Sequence, residues 1–354
     1  MHISVNSWRW RLGGSLVALL LILGTLVTGC SNQNQAQITV TQTTTQTTKA
    51  LTEFETVQQA ALSYFGSSKS LVTNSDALWK LINDGDTSND PIIVDIRAAT
   101  DYANGHIPGA INIPLADIFK PENLAKLTKD KQIVTSCYTG NTAQIAAAYL
   151  SLMGYNAISL RYSMMAWTKD ATIQDPAKYN WNPDKSNDFA VVTQVFTSTA
   201  KNTFPTLATG GATASEIIRL ASEQAYTRVK THTVSSADLF KNLNDGDNSN
   251  DPVIIDIRKA ADYAAGHING AVNIVAADVF KTENLEKLPT DKQIIINCYT
   301  GQTSQLVATA LRSLGYNAAS LKFGIMDWSK NDTLLGAAKR WSADTEQWGY
   351  PIEK

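Results

Sequence analysis

The chain has 354 residues, 44% of them apolar, and a net charge of −2 from 30 basic and 32 acidic side chains. That length suits two domains of ~100–200 residues each, and the near-neutral balance gives no support to nucleic acid or to acidic partners. Its three cysteines are too few for a disulfide framework and lack the Cys-x-x-Cys spacing of a metal site.

At the N-terminus, Arg9 and Arg11 precede an apolar run from Leu12 to Val27 that ends in Val27-Thr28-Gly29-Cys30. A basic stretch followed by an apolar one is the pattern of a secretory signal. The last four residues resemble the bacterial lipobox, in which the signal is cut before a cysteine that then carries lipid. Residues 1–29 are therefore expected to be a lipoprotein-type signal peptide and Cys30 the lipid anchor. A plain transmembrane anchor is the alternative, for which the run is short. Both place the rest of the chain outside the cytoplasm, tethered to the cell membrane. Residues 30–50, rich in Gln, Thr and Asn, bury too little apolar surface to fold and read as a flexible tether.

Everything after the tether is written twice. An offset of 161 positions relates Asp95 to Asp256, His106 to His267 and Cys137 to Cys298, without a gap from about Thr52 to Trp167. One domain is duplicated, predicting domains at 51–190 and 212–354 joined by 191–211, with each fold closed within its own copy. In each copy a helical stretch comes first (Glu53 to Phe65; Ser215 to Thr227). A short helix follows, with Ser75 or Ser236 as its N-cap. The apolar run Ile92-Ile93-Val94-Asp95-Ile96 predicts a central strand covered on both faces. A helical turn over Ala98 to Ala103 and a short strand at Ile111 lead to a second β-branched run, Gln132 to Ser136, that delivers Cys137. A helix from Thr142 to about Met153, with Gly154 ending it, and a strand from Ala157 to Leu160 complete the copy. Strand–helix alternation predicts an α/β domain with a mostly parallel sheet flanked by helices. Trp341, Trp348 and Tyr350, like Trp181, Phe189 and Phe204, are expected to cover their own domain's sheet.

The stretch that organises each copy is Cys137-Tyr138-Thr139-Gly140-Asn141-Thr142 or Cys298-Tyr299-Thr300-Gly301-Gln302-Thr303. A buried strand hands a cysteine to a tight turn, and a helix begins there. Inward amides of such a turn form an anion nest, and the helix dipole is positive beside the sulfur. Both favour a thiolate over a thiol. Cys137 and Cys298 are the candidate nucleophiles, and the other ten loop residues are the candidate substrate contacts.

Several linked motifs resemble the rhodanese family of sulfurtransferases: Asp95-Ile96-Arg97, Tyr102, Gly105-His106-Ile107-Pro108-Gly109-Ala110, the Cys137 loop, Met165 and Trp167. In the second copy they are Asp256-Ile257-Arg258, Tyr263, Gly266-His267-Ile268-Asn269-Gly270-Ala271, the Cys298 loop, Gly324 and Trp328. The resemblance implies two tandem rhodanese-like domains and a cysteine that takes sulfane sulfur, holds it as a persulfide and passes it on. The partners it implies are a small sulfur donor and a thiol or cyanide-like acceptor, with no cofactor. Thiosulfate-type members carry a basic residue where Tyr138 and Thr139 stand, which argues against thiosulfate. Related phosphatases use a longer loop ending in Arg, which argues against phosphoryl chemistry. The alternative to turnover is a module of the same fold that carries sulfur or senses it.

Asp95 with Arg97, and Asp256 with Arg258, read as ion pairs closing the central strand. His106 and His267 read as groups that fix their loops. Ser163 stands where the second copy has Gly324. Asp84, Asp86, Ser88 and Asp90, repeated at Asp245, Asp247, Ser249 and Asp251, alternate like half of a calcium loop. They lack its distal Glu and its glycine at the sixth position, and read as Asx-bonded turns, so no metal site is assigned.

Overall fold

The structure is a computed structural model that describes residues 50–173, 186–228, 232–338 and 340–354. The signal, Cys30, most of the tether and Trp181 lie outside the described residues.

The first copy contains α1 (Glu53–Phe65), β1 (Val72–Thr73), α2 (Ser75–Leu81), β2 (Ile92–Asp95), α3 (Ala99–Asn104), β3 (Ile111–Asn112), α4 (Pro121–Leu124), β4 (Ile133–Ser136), α5 (Asn141–Leu152), β5 (Ala157–Leu160) and α6 (Ser163–Trp167). The second contains α7 (Ala214–Arg228), β6 (Thr233–Val234), α8 (Ser236–Asn242), β7 (Val253–Asp256), α9 (Ala260–Ala265), β8 (Val272–Asn273), α10 (Thr282–Leu285), β9 (Ile294–Asn297), α11 (Gln302–Ser313), β10 (Ala318–Leu321), α12 (Ile325–Trp328) and α13 (Ala343–Glu346). Each forms a five-stranded sheet, ordered β1-β5-β4-β2-β3 and β6-β10-β9-β7-β8, with every pairing parallel. The α/β expectation holds, and the cause is visible. β4 and β9 are buried at every position, so Val and Ile find apolar neighbours on both faces. The short helices are capped one residue earlier than the sequence suggests. Asn74 accepts from the Ala77 amide at 2.8 Å and Ser235 from Asp238 at 3.1 Å, while Ser75 and Ser236 are buried first-turn residues.

The expectation that each copy closes on itself is wrong. α1 belongs to the first copy, yet Phe54, Val57, Ala61 and Phe65 join the core formed by β7, β9 and α11. Phe65 stacks on Phe280 at 4.7 Å, and the Gln58 amide donates to Phe280 O at 2.9 Å. Reciprocally, Ala225 and Tyr226 of α7 enter the first copy's core, where Tyr226 meets Phe119 and Tyr149. The tails are exchanged as well. Phe189, downstream of the first copy, packs on Trp328 and Phe240, and Val192 pairs with His267. The C-terminal tail returns to the first copy, where Tyr350 stacks on Trp79, Pro351 O accepts from Trp167 Nε1 at 2.8 Å, and Glu353 pairs with His106. The aromatics thus cover the opposite sheet, with Trp341 remaining on the second.

Between the halves, α5 and α11 pack side by side and run in the same direction. Gln144 donates to Gln302 near their starts at 2.8 Å, and Tyr149 meets Arg312 toward their ends. The buried Arg312 donates to Ala318 O and Thr309 Oγ1. Beside it, burial and then the Arg312 charge push the ionisation of His232 down to about 4.

Two outcomes follow from this interlock. Phe65→Ala is expected to cost about 3–5 kcal/mol, and hydrogen exchange will show β9 losing protection although Phe65 precedes it by a whole domain. Stability is expected to be full above pH 6.5, the ordinary His232 value, and to decline as pH falls to about 4, because the unfolded chain takes a proton that the folded one refuses. Thermal melts of His232→Gln are expected to flatten over that window.

Candidate active site

β4 and β9 carry Cys137 and Cys298 just past their carboxyl ends, the edge where parallel α/β sheets place their sites. Gly140 and Gly301, with φ of 86° and 77°, then turn the chain into α5 and α11. Only glycine takes that left-handed turn without strain, and a Cβ on Gly301 would also come within 2.5 Å of Phe323 N.

The loop carbonyls are tied outward. Met164 N donates to Cys137 O and Met165 N to Tyr138 O; Ile325 N and Met326 N do the same for Cys298 O and Tyr299 O. These bonds consume amides of α6 and α12 that have no partner within their own helices. The expected nest of inward loop amides is realised only in part, by Gly140 in the first loop. Cys137 Sγ accepts from Gly140 N at 3.2 Å and from Ala143 N at 3.3 Å. Cys298 Sγ accepts from Ser304 N at 3.4 Å and is hydrogen-bonded to Ser304 Oγ at 3.3 Å, which shares a 2.7 Å bond with Ser320 Oγ. Each sulfur thus sits over the first turn of a helix, at the positive end of its dipole. Both are nearly sealed, with Cys137 2% and Cys298 3% exposed.

The remaining loop residues divide. Tyr138 and Tyr299 lean away from the sulfur: their hydroxyls donate to Asp101 and to Asp262, the latter at 2.5 Å, and each ring lies against Arg97 or Arg258. Burial, and then the Asp262 bond, push Tyr299 up to about 12, so it stays a neutral donor. Thr139 O accepts from Gln302 Nε2 at 3.4 Å, which brings the two loops into contact, while Gly140, Asn141, Thr300 and Gly301 are buried beside them. Thr142 is exposed and Thr303 half-buried, and among the described residues no hydrogen bond joins either hydroxyl to a sulfur. Besides Gly140 at the first site, the amide that reaches each sulfur belongs to the residue after the loop, Ala143 or Ser304. Sequence reasoning missed both; a hydroxyl standing opposite an alanine in the repeat was the available signal.

Ser163 has a definite role. Its Oγ accepts from Cys137 N at 3.1 Å and donates to Leu160 O at 3.0 Å. At Gly324 a Cβ would overlap Cys298 O, and the backbone there is at φ 58°, ψ −148°.

The ion pairs are structural. Asp95–Arg97 and Asp256–Arg258 are closed at 2.6 and 2.7 Å with both partners buried, and each arginine also donates to a backbone carbonyl, of Gly105 or Gly266. His106 Nδ1 and His267 Nδ1 bond Tyr102 O and Tyr263 O, and each imidazole stacks on that tyrosine, away from the cysteines. In the acidic loops Asp84 Oδ1 accepts from Asp86 N, and Asp86 Oδ1 from Ser88 N and Oγ; Asp245 and Asp247 repeat the pattern. Those carboxylates are spent on turns, and among the described residues no group of three His, Cys, Asp or Glu is placed to hold a metal.

Residues 74–170 and 236–331 each match the family pattern described as the rhodanese-like domain. The chain belongs to that family. A relative from Allochromatium vinosum named a sulfurtransferase is 34% identical over 83 residues, covering 23% of this chain and 76% of the relative. A thiosulfate sulfurtransferase of Pseudomonas fluorescens is 39% identical over 70 residues, 19% of this chain and 60% of the relative. Among solved structures, a thiosulfate sulfurtransferase from Pseudomonas aeruginosa aligns with 82% of this chain and 49% of its own, at 16% identity and a TM-score of 0.29.

Gly324→Ser, which writes the first rhodanese-like repeat into the second, is expected to cost about 1–3 kcal/mol through the strained backbone. Site-resolved alkylation should change at Cys298 and hold steady at Cys137.

Proposed function

We propose that this protein is a sulfurtransferase working through persulfides on Cys137 and Cys298. The observation that carries the reading is the Cys137 sulfur, held by two backbone amides at the start of α5. The thiolate attacks the outer sulfur of a donor. A cysteine S–S bond forms, the donor's own bond to that sulfur breaks, and the donor leaves with the electron pair. The amides then bear the negative charge of the outer sulfur without a general base. An acceptor such as cyanide or a thiol attacks that sulfur, and the cysteine thiolate departs. Among the described residues no charged side chain hydrogen-bonds either sulfur, which supports polysulfides or small persulfides over thiosulfate as donor. The stretch ending in Cys30 supports an exported protein held to the membrane by lipid.

The near-complete burial of both sulfurs favours a second reading: a module that loads sulfur once, as carrier or sensor, without turnover. One experiment separates the two. With polysulfide and cyanide, wild type is expected to turn over many equivalents, the single Cys→Ala variants to retain the activity of the remaining site, and the double variant to fall to the uncatalysed background. Persulfide mass on both cysteines with only stoichiometric release would establish the carrier instead.

A further inference from the structure

We propose that Ser304 is a catalytic residue of the second site: its hydroxyl, aimed by Ser320, donates a hydrogen bond to the Cys298 sulfur as that sulfur departs from the transferred group, while the first site discharges without such a donor. The proposal deepens the sulfurtransferase reading and rests on it for the identity of that group.

Cys298, Ser304 and Ser320 are buried and stand in line behind the second loop. Cys298 Sγ lies 3.3 Å from Ser304 Oγ, and Ser304 Oγ lies 2.7 Å from Ser320 Oγ. Ser320 Oγ in turn reaches Leu321 O at 3.3 Å and Gly301 O at 3.4 Å. The line can run in either direction, because a hydroxyl both donates and accepts. With Cys298 as a thiol, its S–H donates to Ser304, Ser304 donates to Ser320, and Ser320 donates to a carbonyl. With a thiolate, Ser304 turns and donates to the sulfur, and Ser320 donates to Ser304. The turn gives up only the long carbonyl contacts, and Leu321 O keeps the Gly324 amide as a donor at 3.0 Å. Neither arrangement leaves a buried hydroxyl without a partner.

Release of sulfur calls on the second direction. In a persulfide the negative charge is on the outer sulfur, and Cys298 Sγ carries none. The acceptor forms a bond to the outer sulfur, the bond from that sulfur to Sγ breaks, and its electron pair goes to Sγ. A donor in reach of Sγ binds more strongly as the charge arrives than before it, and an interaction of that kind speeds the step. The repeat supplies an internal contrast. Cys137 Sγ accepts from the amides of Gly140 and Ala143, whereas among the described residues no hydrogen bond joins the Gly301 amide to Cys298. The Ser304 hydroxyl stands in its place. In the first repeat Ala143 occupies the Ser304 position and Ser159 the Ser320 position. The Ser159 hydroxyl is buried without a partner among the described residues. The first repeat thus keeps the aiming serine and lacks the hydroxyl it would aim.

The test uses the full chain, loaded first and then discharged, so that neither cysteine holds a thiol proton and the rate reads departure alone. In one arm both cysteines are converted to methyl disulfides with methyl methanethiosulfonate and released by mercaptoethanol, whose thiolate takes the methylthio group as the cysteine thiolate leaves. In the other they are loaded with polysulfide and released by cyanide as thiocyanate. Discharge is followed separately at Cys137 and Cys298 by mass spectrometry. Ser304→Ala writes the first repeat's arrangement into the second, and the fold already tolerates that arrangement. It is expected to slow discharge at Cys298 about tenfold in both arms, the loss of one hydrogen bond to a charged group, and to leave Cys137 unchanged. Ser320→Ala is expected to slow Cys298 in the same sense, and Ser159→Ala to change nothing at Cys137; a purely structural role at this strand position would make the two alike. Ala143→Ser is expected to speed discharge at Cys137. Unchanged discharge at Cys298 in Ser304→Ala, or an equal slowing at both cysteines, overturns the proposal. A Cys298 deficit in the methyl disulfide arm, with no persulfide formed from polysulfide, sinks sulfur transfer and leaves the donor standing. Ready transfer to cyanide with an undiminished Cys298 rate in Ser304→Ala does the reverse.

Discussion

The alignment of α5 with α11 is the constraint from which the rest follows. Two buried helices pointing the same way bring their positive ends together, and each end carries a cysteine. Small residues make the approach possible: Ala147 and Ala148 on one helix pack in one cluster with Ala308 and Ala310 on the other. Gln302 then joins the two loops, its amide reaching Thr139 O while its oxygen accepts from Gln144. The sulfur environments are therefore built on one shared seam, and a change on the seam is felt in both.

Shared architecture does not make the sites alike. The repeat keeps the cysteine, the glycine turn and the outward-tied carbonyls, and varies what surrounds them. The first site fixes the cysteine amide with the Ser163 hydroxyl; the second places a left-handed glycine there. At the seventh position of the loop, Ala143 offers only its amide, whereas Ser304 adds a hydroxyl already engaged with Ser320. Backbone-based sulfur binding tolerates such variation because its amide donors belong to no side chain.

Much of this was legible from sequence, for identifiable reasons. Runs such as Ile133-Val134 and Ile294-Ile295-Ile296 have one stable use, as central strands, and the constant offset between repeats placed both cysteines at strand ends. The partner of an apolar face was not legible. Periodicity shows that Phe54, Val57, Ala61 and Phe65 need burial, but a duplicated chain offers two equivalent cores, and only the connection lengths decide between them. The caps failed for a similar reason: Asn74 and Ser75 are both competent, and the choice depends on where β1 releases the chain. The reach of the Ala143 and Ser304 amides required the actual turn, since a loop counted to its sixth residue stops one short.

The traded helices and tails bear on what one repeat could do alone. A single repeat with the same apolar faces could cover its sheet only by lending its first helix and its tail to another molecule, as a symmetric swapped homodimer does. In this chain the loan is internal, fixed by the chain's own effective concentration and independent of dilution. A single chain imposes no symmetry on the two halves, and the surroundings of Cys137 and Cys298 differ accordingly.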